Sequence, residues 1–558
     1  MAKRTRSEAT MTDQATEPLD AADPYAREAQ TFPVLPEEMA ERIASYGAPE
    51  TLDDGTLVFE RGQRSVDFFL VLDGAIEIYD LDERGQPHVF TVHGPRQFTG
   101  EVDLFNDRQI LVSGRTRGAT RVVRLKRDVF RRMIAAEADI GEILMRAFIL
   151  RRVGLMRHAQ GGVVLVGSGH DGETSRIQSF LERNGYPLRL IDRETDADAS
   201  SFLEGFHLKA EQLPVVLADG QLLFNPSDAE LADRLGISIE IDPEHVHDVA
   251  VVGGGPGGLA AAVYAASEGL DTIVLETFAP GGQAGTSSKI ENYLGFPTGI
   301  SGQALAGRAL TQAQKFGARV AVSRSVKRLH CDQSPYRVEL DDGRRVSARA
   351  VVVATGARYR RLEIEGSERF DGRGLHYAAT AVEARLCRSE EVIVVGGGNS
   401  AGQAAVFLSR SAGHVHVLVR GEGLAATMSR YLIERIDASS RITLHAHTEI
   451  TALEGDPALE RVTWRHRQTG ESETKEIGNV FVMIGAQPNT GWLDGCLDLD
   501  AKGFIVCGDP ASPYSTSRPG VFAVGDVRSG SVKRVASAVG EGSVAVQAVH
   551  RFLDPVAD

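Results

Sequence analysis

Val249-Ala-Val-Val-Gly-Gly-Gly-Pro-Gly-Gly-Leu259 joins a short apolar run to a glycine-rich turn, and the chain continues as Ala260-Ala-Ala-Val-Tyr264. An apolar run, a glycine turn and an alanine-rich segment in this order predict a buried strand, a tight turn and a helix. Glycines there let the backbone approach a pyrophosphate, which rests on the helix N-terminus. Glu276 ends the next apolar run, where a carboxylate can accept from a ribose hydroxyl. The sequence therefore predicts a dinucleotide-binding fold.

A second turn repeats the arrangement further along the chain. Val392-Ile-Val-Val395 leads into Gly396-Gly-Gly-Asn-Ser-Ala401, and the strand-like run Val415-His-Val-Leu-Val419 ends at Arg420. A cationic residue there can meet a 2′-phosphate, which favours NADPH over NADH. A glycine turn alone can reflect tight packing, but two turns in the same context predict two dinucleotide sites.

From about Asp248 to the C-terminus the chain resembles low-molecular-weight thioredoxin reductases, in which an NADPH domain interrupts an FAD domain. Gly281-Gly-Gln283 with Ile290-Glu-Asn-Tyr293 resembles the segment along the flavin, and Ala354-Thr-Gly356 resembles the return strand. Gly520-Val-Phe-Ala-Val-Gly-Asp526 is similar to the closing motif, in which Asp526 would contact the ribityl chain.

The resemblance and the two turns imply sites for FAD and for NADPH or NADH. The residues expected at the cofactors are Gly253, Gly255, Pro256, Gly258, Glu276, Gly282, Gln283, Asn292, Val326, Ala354, Thr355, Gly356, Gly398, Asn399, Ser400, Ala401, Arg420, Gly485, Gly525, Asp526, Arg534, Val535 and Ala536. We expect no metal site.

The same resemblance exposes a departure at Tyr377-Ala-Ala-Thr-Ala381. The family has a tyrosine followed by Cys-x-x-Cys here, so Ala378 and Ala381 stand where the redox thiols belong. The four cysteines are Cys331, Cys387, Cys496 and Cys507, and none of them forms a Cys-x-x-Cys pair. The sequence thus predicts that the flavin is the only redox group. His376 and Tyr377 are candidates for a catalytic role beside it, with simple packing as the alternative.

Before the dinucleotide segments, short β-like runs punctuated by glycine predict a small antiparallel barrel over residues 32–157. The segment resembles cyclic nucleotide-binding domains. Gly100 and Glu101 match the start of the phosphate-binding cassette, where the glutamate would accept from the ribose. Ile110 or Leu111 replaces the cassette's arginine unless Arg108 reaches the phosphate from a shifted register. The alternatives are therefore a cyclic nucleotide site and a docking or dimerisation module.

Residues 160–240 alternate strand-like and helix-like runs, followed by two short strands, which fits a thioredoxin or glutaredoxin-like fold. Pro214 resembles the cis-proline of that fold. The loop Gly167-Ser-Gly-His-Asp-Gly-Glu-Thr174 stands where the Cys-x-x-Cys would be, so this unit also lacks both thiols. His170 and Asp171 could form an acid-base pair, but such loop residues more often cap a helix.

Composition sets the remaining limits. A chain of 558 residues with 42% hydrophobic residues predicts several globular domains, and its net charge of −15 disfavours nucleic acid or an anionic membrane as partner. We find no run long enough to span a bilayer and no secretory signal, and scattered cysteines favour the cytoplasm. The family resemblance suggests a homodimer.

The predicted fold class is a multidomain α/β protein with an N-terminal β-barrel. Its predicted limits are a disordered tail (1–31), the cyclic nucleotide-binding-like domain (32–157), the thioredoxin-like domain (160–240), the FAD domain (246–372 and 489–558) and the NAD(P)H domain (373–488). The leading hypothesis is an FAD-dependent NAD(P)H oxidoreductase that passes electrons from flavin to a non-dithiol acceptor. The alternatives are a flavin- or nucleotide-responsive sensor with incidental turnover, and a thioredoxin-disulfide reductase.

Overall fold

A computed structural model describes residues 23–81, 86–106, 108–287, 289–377, 379, 384, 387, 389–493, 495–508 and 512–554. Residues 1–22 of the predicted tail lie outside the described residues, and so do Ala378 and Ala381. The described chain starts at Asp23 with a 3-10 turn at Tyr25–Arg27, so packed structure begins before the predicted end of the tail at residue 31.

The N-terminal unit is an antiparallel sheet, with two helices before it and two after it in the sequence. Its elements are α1 (Glu28–Thr31), α2 (Glu37–Ala44), β1 (Pro49–Leu52), β2 (Leu57–Phe59), β3 (Phe68–Leu81), β4 (Pro87–His93), β5 (Ser113–Leu125), α3 (Arg127–Ala136) and α4 (Ala138–Arg157). The strand order is β1-β5-β3-β4, with β2 paired to β5. Among the described residues these pairings form a five-stranded antiparallel sheet, and no pairing closes it into a barrel.

The second unit is a mixed four-stranded sheet in the order β7-β6-β8-β9. Its elements are β6 (Val163–Gly167), α5 (Gly172–Arg183), β7 (Leu188–Asp192), α6 (Ala199–Gly205), β8 (Val215–Ala218), β9 (Gln221–Phe224) and α7 (Asp228–Arg234). The first two strands are parallel and the last two antiparallel, as the sequence pattern predicts. The Leu213-Pro214 peptide bond is cis. Kinship of this unit with thioredoxin stays a prediction.

The third unit is a seven-stranded sheet that starts with the glycine-turn strand. Its first elements are β10 (Val246–Val252), α8 (Pro256–Ser267), β11 (Thr272–Glu276), α9 (Gly302–Lys315), β12 (Arg319–Val322), β13 (Val326–His330), β14 (Tyr336–Leu340) and β15 (Arg345–Val353). The apolar runs of β10 and β11 are buried on both faces, which explains their continuous hydrophobic pattern.

The fourth unit interrupts the third and contains its own parallel sheet in the order β17-β24-β18-β19-β20. Its elements, with those of the returning chain, are β16 (Ala357–Tyr359), β17 (Leu375–His376), β18 (Glu391–Val395), α10 (Asn399–Leu408), β19 (His414–Leu418), α11 (Arg430–Asp437), β20 (Ile442–His445), β21 (Thr448–Glu454), β22 (Arg461–His466), β23 (Ser472–Lys475), β24 (Val480–Val482), β25 (Ala486–Pro488), β26 (Val521–Ala523) and α12 (Val535–Leu553). The pair β16 and β25 forms the two-stranded crossing between the units, and β26 returns to β15 of the third unit.

The first three units share one continuous hydrophobic cluster. It contains Phe68 of the N-terminal sheet, Phe180 of the second unit and Val251 of the glycine-turn strand. These units are therefore packed on one another and not strung on loose linkers. None of the helices in the described ranges combines the length and apolarity that crossing a membrane requires.

Candidate functional site

The turn between β10 and α8 forms a cradle in which side chains have no room. A Cβ at Gly258 would collide with the carbonyl oxygen of Gly253, and one at Gly253 with that of Ala354. Gly253 has φ +102°, a conformation that favours glycine. Gly255 precedes the helix, and Pro256 is its first residue. The first helical N–H groups are therefore presented to a pyrophosphate, and the cradle fits the flavin dinucleotide.

Glu276 lies at the end of β11, beside this turn. Its carboxylate accepts from the N–H of Gly254 at 2.7 Å and from the N–H of Phe278 at 3.0 Å. Burial raises the pKa of the Glu276 carboxyl, while the two backbone donors oppose that shift. The carboxylate is thus held at the carboxyl end of β11, and its contact with a ribose stays a prediction.

The closing motif at β26 is anchored by a residue that the sequence reasoning missed. Gly525 donates its N–H to Glu541 at 2.5 Å, and Arg528 donates to the same carboxylate at 2.6 Å. Asp526 is half-buried between them, and burial raises the pKa of its carboxyl. Glu541 lies within α12 at 7% exposure, and its only trace in the sequence is a single carboxylate in an alanine- and valine-rich segment, which does not reveal its partner.

The remaining predicted flavin residues fall on three neighbouring segments. Gln283, which follows Gly282 in a 3-10 turn, donates to the carbonyl of Ala357. Thr355, between Ala354 and Gly356, exchanges hydrogen bonds with Asn489. The two residues lie on the two chain segments that connect the third and fourth units. The other members are placed as follows: Asn292 is exposed on the loop before α9, Val326 begins β13, and Arg534, Val535 and Ala536 form the cap and first turn of α12.

The second glycine turn joins β18 to α10 in the same way. Gly396 has φ +139°, and a Cβ there would collide with the carbonyl of Met483. Gly398 caps α10, Asn399 accepts from the N–H of Ser429 at 2.6 Å, and Ala401 is fully buried. Ser400 is exposed at the helix start. The turn therefore also presents a helix N-terminus to a phosphate.

A cleft of about 1660 Å³ opens at the carboxyl ends of the parallel strands of this fourth unit. Val395 of β18, Tyr377 after β17 and Ile484 after β24 line it, together with Arg420. Dinucleotides bind at this edge of open α/β sheets. The arginines that line the cleft are Arg358, Arg360, Arg361, Arg420 and Arg465. Glu363, Glu365 and Glu449 also line the cleft, and Arg465 is paired with Glu449, so a smaller positive excess remains, which favours an anionic ligand. Gly485, with φ +99°, accepts from the N–H of Arg360 at 2.8 Å beside the cleft.

His376 and Tyr377 have different surroundings. His376 is buried, and its Nε2 lies 2.9 Å from Oδ1 of Asn479. Tyr377 lines the cleft and donates its hydroxyl to Asp371 at 2.9 Å. The structure therefore brings Tyr377, and not the His376 ring, to the cleft. A catalytic role for either stays a prediction.

The loop of the second unit that stands in place of a Cys-x-x-Cys packs against this same region. Asp171 and Arg373 approach to 3.9 Å, and a Cβ added at Gly372 would lie 3.6 Å from the Cα of Gly172. Asp171 also accepts from the N–H of Thr174 at 2.8 Å, so it caps α5 as expected of a loop residue at a helix start. His170 belongs to the same loop. The loop is thus a neighbour of Gly372 and Arg373, which precede Tyr377, whereas Ala378 and Ala381 lie outside the described residues.

Two cysteines far apart in the sequence form a disulfide that the sequence did not predict, and the expectation that the flavin is the only redox group stays a prediction. Cys331 follows β13, and Cys496 lies 165 residues later in the returning chain, with a Cα–Cα distance of 6.0 Å. Neither lines the described cleft. Cys387 is fully buried. A pairing over this separation leaves no local spacing signal in a sequence.

In the N-terminal unit the predicted nucleotide residues are partly engaged elsewhere. Glu101 accepts from Nε of Arg152 at 2.6 Å and is almost fully buried. Arg108 donates to the carbonyl of Asn184 in the second unit at 2.8 Å. Gly100 and Glu101 line a cavity, and so do Ile110 and Leu111, whereas Arg108 is not part of its lining. A role for these residues in cyclic nucleotide binding stays a prediction.

Two glycine cradles, each between two strands of a sheet and a helix, a buried carboxylate beside the first cradle and a cleft lined by five arginines are the features of a flavoprotein of the two-dinucleotide oxidoreductase class. The match to a known family covers residues 247–542, more than half of the chain, and that family is described as "Pyridine nucleotide-disulphide oxidoreductase". The chain belongs to this family. Residues 49–137 match the family described as "Cyclic nucleotide-binding domain".

Similar proteins and structures agree. "NADPH-dependent thioredoxin reductase 3" of Arabidopsis thaliana is 34% identical over 317 residues, which are 56% of this chain and 59% of that protein. "Thioredoxin reductase" of Mycolicibacterium smegmatis is 35% identical over 308 residues, which are 55% of this chain and 97% of that protein. The crystal structure of Lactococcus lactis thioredoxin reductase is 29% identical, with a TM-score of 0.52 over 56% of this chain and 100% of that one. The T. acidophilum thioredoxin reductase structure is 30% identical, with the same TM-score and coverage.

These comparisons confirm the thioredoxin reductase-like family, the multidomain α/β fold class and the cyclic nucleotide-binding domain at the N-terminus. They also confirm FAD and NADPH as the cofactors, because thioredoxin reductase-like members of the family use them.

Proposed function

We propose that this chain is an FAD-dependent oxidoreductase that takes electrons from NADPH and delivers them to an acceptor without a Cys-x-x-Cys relay. The observation that carries the proposal is the sequence Tyr377-Ala-Ala-Thr-Ala381, which has alanine at the two positions where the resemblance places thiols. A dithiol relay needs a thiolate that attacks the substrate's disulfide, and alanine cannot supply one. Candidate acceptors are a quinone, another electron carrier and oxygen.

When bound, FAD accepts a hydride from NADPH and passes the electrons on. The chain's own residues do the positioning. The Gly253–Gly258 turn holds the flavin pyrophosphate at the start of α8, and Glu276 accepts from its adenosine ribose. Gly398 and Asn399 do the same for the nicotinamide nucleotide, while Arg420 offers a guanidinium to the 2′-phosphate.

The cleft fixes what reaches this centre. Tyr377 lies on the wall of the cleft, and its hydroxyl donates to Asp371. Five arginines line the same cleft. We infer that this cleft receives the anionic NADPH, because the arginines attract negative charge. The strands β16 and β25 are the crossing about which the nicotinamide unit would rotate, as the family resemblance implies.

We also propose the domain limits that the sequence predicts: domains over 32–157, 160–240, 246–372 with 489–558, and 373–488, preceded by a segment (1–31) whose last residues, Tyr25–Thr31, are helical and packed on the first domain. Each of the four domains contains a separate described sheet, which supports these limits. The four-stranded order β7-β6-β8-β9 supports a thioredoxin-like unit for residues 160–240. We further infer a homodimer in the cytoplasm, as the sequence analysis does.

Regulation by the N-terminal domain is a second part of the proposal. Asn106 donates to Gln314 of α9 at 3.3 Å, and Arg64 donates to the carbonyl of Ser238 at 2.9 Å. The first contact connects the loop after Glu101 directly to the flavin-binding unit, and the second connects the N-terminal unit to the end of the second unit. A ligand that shifts this loop would therefore change contacts with α9.

The test is reduction of the purified flavoprotein by NADPH without oxygen, followed by an acceptor screen. We expect the flavin absorbance to bleach within seconds and to return when a quinone or oxygen is added. The Arg420→Ala variant should bleach more slowly with NADPH, whereas Arg410→Ala, an exposed arginine away from the cleft, should behave as the parent chain does.

Two outcomes would contradict this function. Failure to bleach over minutes would favour the sensor alternative, in which turnover is incidental. Reduction of thioredoxin at an ordinary enzymatic rate would show that a dithiol-linked route exists despite the alanines.

A further inference from the structure

A small cavity of about 70 Å³ lies inside the N-terminal unit, between the sheet and α4. Its walls are mainly apolar side chains: Phe59, Ile78, Phe90, Ile110, Leu111 and Leu155. Apolar cavities of this kind stay dry and take hydrocarbon groups. The polar lining is therefore confined to a few side chains, and their partners decide what the cavity can bind.

The segment Asp23–Phe32 covers this cavity. Tyr25 and Phe32 both line it, and Tyr25 donates its hydroxyl to Gln160 at 2.7 Å. A Cβ at Gly154 would collide with the Tyr25 ring, so the glycine in α4 makes room for this cover. The cover is thus built into the fold.

Arg151 of α4 is the cation at the cavity wall, with only 6% of its surface exposed. Its Nε donates to Thr31 at 2.9 Å, and its Nη1 donates to the carbonyls of Phe98 and Gly100 at 3.1 and 2.8 Å. Its Nη2 has no hydrogen-bond partner among the described residues. Burial lowers the pKa of Arg151 to about 9, so the guanidinium is charged at neutral pH.

The carboxylates on the cavity wall are engaged with other cations. Glu101 and Asp103 both bind Arg152, and Asp67 binds Arg124 at 2.6 Å. Within the described ranges, therefore, every carboxylate that lines the cavity has another arginine as its partner. Arg151 is held instead by neutral carbonyls and by the rings of Phe32, Phe98 and Phe148, so it is the charge on the wall that has no oppositely charged hydrogen-bond partner among the described residues.

His93 supplies a second unsatisfied group on the wall. It is 2% exposed, and its Nδ1 has no hydrogen-bond partner within the described residues. Burial lowers the pKa of His93 well below its ordinary value, so the ring is neutral. A neutral imidazole can donate one hydrogen bond without adding charge.

We propose that this cavity binds a small monocarboxylate with an apolar body, whose carboxylate pairs with Arg151 and whose hydrocarbon or single ring packs against the apolar wall. Arg151 and His93 together require a ligand with one negative charge and two acceptor oxygens. A carboxylate supplies both. The small volume selects a short chain or one ring. A cyclic nucleotide suits the site poorly, since Glu101 is committed to Arg152 and apolar Ile110 and Leu111 line the wall.

The experiment titrates benzoate and hexanoate into the full chain and follows binding by calorimetry and by thermal unfolding. We expect saturable binding and a higher unfolding temperature, as for any ligand that binds the folded state. Benzyl alcohol and hexanol, which lack the charge, should bind at least about tenfold more weakly, since a charge-assisted hydrogen bond contributes about 1.5–3 kcal/mol.

Two variants locate the site, and a third is the matched control. Arg151→Met should lose at least about tenfold in affinity for benzoate. Ile78→Trp should abolish binding by filling the cavity while leaving Arg151 in place. Arg146→Met, at an exposed arginine of the same helix, should bind as the parent chain does. If Arg151→Met fails to fold, Ile78→Trp and the alcohols still decide the question.

If neither carboxylate gives saturable heat or a thermal shift at concentrations up to about 100 µM, the proposal is overturned. It would also be overturned by undiminished benzoate binding in Ile78→Trp, or by tight binding of cyclic AMP with none of the carboxylates. All these measurements are made without NADPH, so their failure is distinct from failure of the proposed electron transfer.

Discussion

Thr355 and Asn489 exchange two hydrogen bonds and thereby join the two chain segments that connect the flavin and nicotinamide units. The Thr355 hydroxyl donates to the carbonyl of Asn489 at 2.8 Å, and the Asn489 amide donates to the carbonyl of Thr355 at 2.9 Å. Thr355 lies in the predicted flavin motif Ala354-Thr-Gly356, and Asn489 follows the β25 strand. The same pair therefore fixes the flavin wall and the base of the nicotinamide unit.

We predict that Asn489→Ala weakens flavin retention. The substitution removes one donor and leaves the Thr355 carbonyl without it, which costs about 1–3 kcal/mol at a partly buried site. Flavin fluorescence released on dilution should rise several-fold, and the unfolding midpoint should fall. Thr355→Val should act in the same direction, whereas Thr355→Ser keeps the hydroxyl and should retain flavin. If Asn489→Ala and Thr355→Val retain flavin as well as the parent chain does, this pair of hydrogen bonds does not support the flavin site.

Glycine substitutions in the first turn should separate folding from cofactor binding. Gly258→Ala places a Cβ against the carbonyl of Gly253, so we expect loss of flavin together with a lower unfolding temperature. A Cβ at Gly255 meets no described protein atom within 4 Å, so Gly255→Ala should fold but bind flavin weakly. Gly307→Ala in α9, where a Cβ is also free of contacts, is the control and should gain about 0.5–1 kcal/mol of stability. Full flavin occupancy in Gly258→Ala would contradict the cradle.

These glycines could be predicted because their demands are local. A turn that touches its own helix leaves a spacing that is visible in the sequence, and so does a carboxylate at the end of the next strand. Glu541 could not be predicted, because its partner Gly525 is brought to it only when α12 packs back on the turn. The Cys331–Cys496 pair and the partners of Arg151 likewise depend on chain segments that meet only in the folded state.

The expected barrel illustrates the same limit at the level of the fold. Alternating residues and glycine turns correctly predict antiparallel strands, but closure depends on which edge strands pair. In the described residues β4 pairs with β3 and β1 with β5, and the path stays open. Pairing of edges is set by packing over the whole unit and leaves no local pattern.

We predict that the Cys331–Cys496 disulfide stabilises the flavin unit without carrying electrons. It closes a loop of 165 residues, so its removal should lower stability by about 2–5 kcal/mol. Cys331→Ser with Cys496→Ser should therefore unfold at a lower temperature while NADPH bleaches the flavin at the parental rate. Loss of acceptor reduction with intact bleaching would instead make this disulfide the missing relay and contradict the proposed function.

Alkylation of Cys507 should be slow and should accelerate with pH. Burial raises the pKa of its thiol to about 11, and Arg528 opposes this only in part. The thiolate is the reactive form, so below that pKa its fraction increases about tenfold for each unit of pH. Peptide mass mapping after brief iodoacetamide treatment should show little Cys507 label near pH 7 and much more near pH 10, in protein that is still folded. Rapid labelling at neutral pH would contradict the shift.

Arg420 should decide the preference between the two nicotinamide nucleotides. It is exposed on the cleft wall at the end of β19, the position from which a guanidinium can reach a 2′-phosphate. Replacing it with alanine removes a charge-assisted contact of about 1.5–3 kcal/mol, so KM for NADPH should rise about tenfold or more. KM for NADH should change by less than about twofold, because NADH has no phosphate there. Arg410→Ala, on the same unit but outside the cleft lining, should alter neither constant. Steady-state assays with both nucleotides give the answer, and an equal rise in both values would mean that Arg420 supports the cleft as a whole and does not read the phosphate.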